Sequence, residues 1–176
     1  MFNTIFEDGS LTDYIQQNAQ DPWIGTSFQG YVFMSPKQKG EFGERFVSKY
    51  FQAKGHEVKR AKTSTAGHDR VIDDILTEIK FSLATRNKKG GVKKDSFIIN
   101  HISRDKDWER LIFFGINPDE EDARLVWFSK EDFIANLDSG LFAHQQGGGK
   151  IGNDDYICTK VAALLAEPWV KSVDEW

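Results

Sequence analysis

The sequence predicts one α/β domain, and three observations predict it: an amphipathic helix over 39–52, a β-hairpin over 68–82, and a later series of short apolar runs separated by turn residues. A chain of 176 residues buries about two thirds or more of its unfolded surface around one core. With 39% hydrophobic residues and 14 Phe, the composition supports such a core.

In the N-terminal support region, 1–35, Ser10 followed by Asp13 gives a capped start for a short helix through about Asn18, which Asp21-Pro22-Trp23 breaks. Trp23, Phe28, Tyr31 and Phe33 are read as core aromatics rather than a base-stacking platform. In the helix KGEFGERFVSKYFQ, the residues Phe42, Phe46, Val47, Tyr50 and Phe51 recur at helical spacing, and Gly55 ends it. The apolar stripe centres near Phe46 and Tyr50. At about 100° per residue, Glu44 borders that stripe and Glu41 lies nearly opposite, so Glu44 is the better candidate to enter a site. His56 to Ala61 reads as an edge strand, and Lys62 to Gly67 as a flexible polar loop.

The stretch HDRVIDDILTEIKFS, His68 to Ser82, carries the candidate chemistry. With Asp73-Asp74 as a two-residue turn, Ile72 pairs with Ile75, Val71 with Leu76, Arg70 with Thr77, and Asp69 with Glu78. Period-2 alternation then adds Lys80 to the face of Asp69 and Glu78, and gives Ile72, Ile75, Ile79 and Phe81 the other, apolar face. Two opposed carboxylates repel unless a positive charge sits between them. Hard oxygen donors without a His or Cys cluster suit Mg²⁺. Lys80 would orient an attacking water or stabilise charge on the phosphorane.

After the hairpin, Arg86, Lys88, Lys89, Lys93 and Lys94 surround a Gly-Gly pair, which fits a loop gripping phosphates. The apolar runs Phe97–Ile102, Leu111–Ile116 and Leu125–Phe128 read as further strands, with His101 a structural histidine. Ser129 and Asp132 cap a helix through about Leu137, with Phe133 and Leu137 facing inward. The Gly-rich loop 147–149 lacks P-loop spacing; His144, Gln145 and Lys150 around it could meet base edges or phosphates. The tail from Tyr156 mixes strand and helix signals.

The net charge of −4 argues against indiscriminate nucleic-acid binding, yet residues 36–94 hold 15 Lys and Arg against 7 Asp and Glu. That basic segment contains the hairpin, so an anionic polymer would be drawn to it. The single Cys158 excludes an internal disulfide and Cys-based zinc. Without a transmembrane-length apolar stretch or a signal-type start, a cytoplasmic protein with no membrane partner is expected.

Lys39-Gly40, Glu44-Arg45, the Gly55 helix end, the strand Val58-Lys59-Arg60, then Asp69 and Glu78-Ile79-Lys80 with Ser82 resemble the PD-(D/E)XK nuclease superfamily, the fold of many restriction endonucleases. The resemblance covers about residues 36–82. It implies a restriction-endonuclease-like core, a central mixed β-sheet flanked by helices, spanning 36–130. A C-terminal helix, the Gly-rich loop and the tail would follow over 131–176 in the same single domain. It implies that Asp69, Glu78 and the backbone carbonyl of Ile79 hold Mg²⁺, with Mn²⁺ able to substitute. Lys80 would assist the water and Glu44 would support the metal shell. His68 stands where Pro is usual, and Asp73 and Asp74 are rival carboxylates that the register makes turn residues.

On this resemblance the activity would be that of a type II restriction endonuclease on double-stranded DNA. A homodimer on a palindrome is expected, although a monomer could cut sequentially, and a methyltransferase could act on the same site. Lys62, Ser64, His68 and Ser82, with the two basic or polar loops, would contact DNA. The same residues also resemble archaeal-type Holliday junction resolvases, and a non-catalytic DNA-binding module could keep the fold. An RNA- or protein-interaction domain whose charged hairpin is accidental stays open as well.

Overall fold

The computed structural model describes residues 8–63, 65–87, 91–118, 122–145 and 155–176. Helix α1 (Ser10–Asn18) starts where the sequence places it but is capped one residue earlier. Gly9 sits at the N-cap at φ 77°, and the Asp8 carboxylate, rather than Ser10, accepts a first-turn N–H, that of Ser10, at 3.0 Å. Helix α2 (Pro36–Ala53) begins before the expected Lys39. Ser35 at the N-cap and Gln38 at the third helical position form a reciprocal capping box that spans Pro36, a signal present in the sequence.

The buried line of α2 is Gly43, Val47 and Phe51, displaced from the expected centre at Phe46 and Tyr50. Gly43 is the reason. A Cβ there would lie 2.3 Å from the Cβ of Phe81, so only glycine lets the helix backbone rest on the sheet. Phe46 remains partly exposed while stacking on Phe114 at 4.3 Å. Of the N-terminal aromatics, Trp23 is buried and Phe28 and Tyr31 pack on the core, but Phe33 is 65% exposed and is not a core residue.

The strands, in chain order, are β1 (Val58–Arg60), β2 (Arg70–Ile72), β3 (Ile75–Leu83), β4 (Ile99–Ser103), β5 (Arg110–Asn117), β6 (Asp122–Ser129), β7 (Ala143–His144), β8 (Asp155–Cys158) and β9 (Lys171–Ser172). Two short helices, α3 (Lys130–Ala135) and α4 (Val161–Leu164), complete the set. The main sheet runs β1-β2-β3-β5-β6-β9, parallel between β3 and β5 and antiparallel elsewhere. The architecture is therefore mixed α/β, a central mixed sheet flanked by helices.

Strand β5 is the spine. Leu111, Ile112, Phe113 and Phe114 are fully buried because both faces are covered. Phe114 meets Phe46 of α2 and Phe81, whereas Phe113 meets Phe97 on the other face at 5.7 Å. Ser129 accepts the Asp132 N–H at 3.0 Å to cap α3, and Phe133 is buried, as its sequence implies.

One strand goes elsewhere. The run 97–102 contains a strand as its sequence implies, but β4 lies in a second antiparallel sheet, β4-β8-β7, and not in the main one. Parallel neighbours such as β3 and β5 require a crossover, and the chain places β4 within it. Ile99 and Ile102, spaced by three, are both fully buried through a register shift rather than by strict alternation. Among the described residues, no helix is long and apolar enough to cross a membrane.

Candidate active site

The hairpin forms with the expected register, Ile72↔Ile75, Val71↔Leu76 and Arg70↔Thr77. Asp73 and Asp74 turn it at φ 48° and 65°, the left-handed values a two-residue turn requires. Asp73 also accepts the Glu57 N–H at 2.9 Å and pairs with His56 at 2.5 Å, so its carboxylate ties the turn to β1.

The ladder stops at Arg70, one pair short of the expected Asp69–Glu78 match. The Asp69 N–H donates to the Thr77 carbonyl at 3.0 Å, and its carboxylate Oδ2 accepts the Ile79 N–H at 2.8 Å. A strand residue sends its N–H and C=O to the same side. The Ile79 carbonyl thus emerges beyond the end of β2, beside Asp69.

The charged face of the hairpin is only partly solvated. Glu78 is only 5% exposed and holds the Lys80 ammonium at 2.7 Å. Burial pushes the Glu78 carboxyl above the usual range; Lys80 opposes that shift, and the nearby Asp69 charge reinforces it. From α2, Glu44 approaches Asp69 and is likewise pushed up, first by burial and then by the Asp69 charge.

Glu44 is held by Arg70, whose strand-pairing position alone does not reveal that role. Arg70, its side chain 7% exposed, donates to Glu44 Oε2 at 2.8 Å, to Ser48 Oγ at 2.9 Å and to the Asp69 carbonyl at 2.7 Å. The missed signal was alternation itself, which puts Arg70 on the apolar face with Ile72 and Ile79, beneath the helix. A second missed residue is Gly67, where a Cβ would sit 2.2 Å from the Asp107 backbone nitrogen. His68 Nδ1 donates to the Asp107 carbonyl at 3.0 Å, so the segment before Asp69 is anchored rather than a free loop.

Two clefts, of about 650 and 560 Å³, share Glu44 and Asp69 on their borders. The larger also takes in Lys80, Ser82, Arg86 and Lys39; the smaller takes in Lys37, Arg60, Lys62 and His68. Ser82 Oγ donates to the Leu83 carbonyl at 2.9 Å, and Arg86 donates to the Gln20 carbonyl at 2.9 Å. Lys93 and Lys94 are exposed and line neither cleft, nor do His144, which packs on Tyr156, and Gln145. Ser64, Lys88, Lys89, Lys150 and the Gly-rich loop lie outside the described residues.

The residues that could offer donors to a hard cation are Asp69, which borders both clefts, Glu78, which is buried and lines neither, and Ile79 through its carbonyl. Among the described residues no three His, Cys, Asp or Glu side chains cluster closely enough to hold a metal by themselves. That donor set fits an ion which keeps waters and takes phosphate oxygens, as Mg²⁺ does.

No protein-family model matches the chain, and no curated protein matches it. Among solved structures it is similar to a bacterial homing endonuclease, I-Ssp6803I, with 16% identity and a TM-score of 0.42 over 58% of this chain and 74% of that one. A likeness this distant assigns neither a residue nor an activity.

Proposed function

We propose that the protein is a Mg²⁺-dependent endodeoxyribonuclease of the restriction type, cleaving double-stranded DNA at a specific sequence, with Mn²⁺ able to substitute. The observation that carries the reading is that Asp69, which borders both basic-walled clefts, lies near enough for its charge to act on the buried Glu78 that holds Lys80. Asp69, Glu78 and the Ile79 carbonyl would hold the ion. When bound, it supplies a Lewis acid that makes water nucleophilic near neutral pH and offsets charge on the scissile phosphate.

The chain's own groups do the rest. Lys80, held by Glu78, orients the attacking water or donates to a non-bridging phosphate oxygen. Glu44, fixed by Arg70, keeps negative charge beside Asp69 and supports the metal's water shell. Lys37, Arg60 and Lys62 on one side, and Lys39 and Arg86 on the other, neutralise flanking phosphates. A symmetric homodimer would present two such centres to the two strands of a palindrome.

The test is digestion of long mixed-sequence DNA in Mg²⁺ with sequencing of the ends. Discrete fragments sharing one end sequence are expected. Absence of metal-dependent cleavage on any DNA overturns the reading. Cleavage confined to four-way junctions, with linear duplex left intact, replaces it with junction resolution.

A further inference from the structure

The β4 bulge has an effect beyond the burial of Ile99 and Ile102. Ile99 pairs with Cys158 and Ile102 with Tyr156, and the register shifts between them. Cys158 and Tyr156 are two residues apart on one face, so Ile99 and Ile102 share that face only because an extra residue is accommodated. The consequence falls on Asn100 and His101, which are both forced outward and exposed.

His101 takes φ 55°, a left-handed value that costs any residue with a Cβ. Its side chain is 63% exposed, and Asp155 faces it from β8 at 3.6 Å. Both Asn100 and His101 line the cleft of about 650 Å³ that contains Asp69 and Lys80. The connection is short. The Ile98 N–H donates to Ser82 Oγ at 3.3 Å, which fixes the start of β4 beside the strand carrying Lys80.

The chemistry of the pair separates it from the rest of the wall. An Asn amide presents a donor and an acceptor together, the pattern that adenine offers at N6 and N7 in the major groove. An imidazole also donates and accepts. Lys39 and Arg86 already bring positive charge for phosphates to this cleft.

We infer that Asn100 and His101 read base edges next to the cleavage point, making the β4 bulge a specificity-determining element. The inference rests on the nuclease reading above for its substrate. It places recognition on the small sheet and chemistry on the main one.

The experiment compares the wild-type chain with Asn100→Ala and His101→Gly, the glycine keeping the positive φ. The ratio of cleavage at the preferred sequence to cleavage at its single-base variants is read by end sequencing. A fall of about 5-fold or more in that ratio, confined to one or two positions, is expected. An unchanged ratio overturns the inference, whatever the overall rate. A uniform loss across sequences with a shallower salt dependence of binding also overturns it, because that marks a phosphate contact. Selection of bound duplexes from a random pool in Ca²⁺ reads the same preference without cutting. A chain that selects sequence through these residues but never cleaves sinks the nuclease reading and leaves the bulge assignment standing.

Discussion

Around β2 and β3 the polar groups are held from several sides, whereas on β4 they stand out into the cleft. Arg70 makes three side-chain hydrogen bonds at 7% exposure; His101, at 63%, sits in a strained backbone and faces Asp155 at 3.6 Å. The contrast teaches where each task belongs. Under the proposed function, the groups that would meet a scissile phosphate, Glu78 and Lys80 on β3 with Asp69 just before β2, are held by hydrogen-bonded neighbours, and the groups that would adapt to a base edge stand at an exposed irregularity.

The largest expected effect tests the rigid side. Arg70→Ala leaves the Glu44 carboxylate partly buried without its guanidinium, and a loss of about 3–5 kcal/mol in urea unfolding is expected. A loss below about 1 kcal/mol would show that the hairpin is no more tightly held than β4.

Next come the close approaches. Gly43→Ala and Gly67→Ala should each cost about 1–3 kcal/mol or more, read by thermal unfolding. Gly67 should be the costlier, because the atoms nearest its added Cβ are backbone, the Asp107 nitrogen at 2.2 Å and Cα at 3.0 Å, whereas at Gly43 the nearest is the Phe81 side chain. Gly67→Ala should also slow cleavage by shifting Asp69.

Glu78→Gln gives a pH-dependent effect of intermediate size. Burial raises the folded-state value of Glu78, so the folded chain holds its proton to a higher pH than the unfolded chain does. Ionised Glu78 therefore costs nothing below the ordinary carboxylate value, and the cost builds as pH rises through the raised one. The variant should gain little in Tm near pH 4 relative to wild type and more near pH 7, while losing cleavage. A Tm below wild type at neutral pH would mean that the Lys80 pair outweighs burial.

The smallest effect tests the exposed side. His101→Gly removes the left-handed strain and should stabilise the chain by about 0.5–1 kcal/mol, measured as a rise in Tm. A marked loss would show that His101 packs structurally.

The hairpin was legible because its register and turn depend on neighbours within a few residues: alternation and the Asp73-Asp74 pair suffice. Glu44 was legible for the same reason, since helical spacing alone puts it on the border of the stripe. Arg70 was hidden by its charge, which suggests solvent although its position is apolar. Gly43, Gly67 and β4 were hidden because their reasons lie about 40 or more residues away, in Phe81, Asp107 and β8. Close approach between distant backbones leaves no periodic trace in a sequence.

The central claim is that Asp69, Glu78 and Lys80 form a metal-dependent centre for phosphodiester hydrolysis. Cleavage of supercoiled plasmid in Mg²⁺ by wild type, Asp69→Asn and Lys80→Ala tests it most directly, with plasmid binding followed in Ca²⁺. The account predicts that each substitution lowers the cleavage rate by roughly 10²-fold or more while binding persists. Cleavage by both variants at the wild-type rate would contradict it.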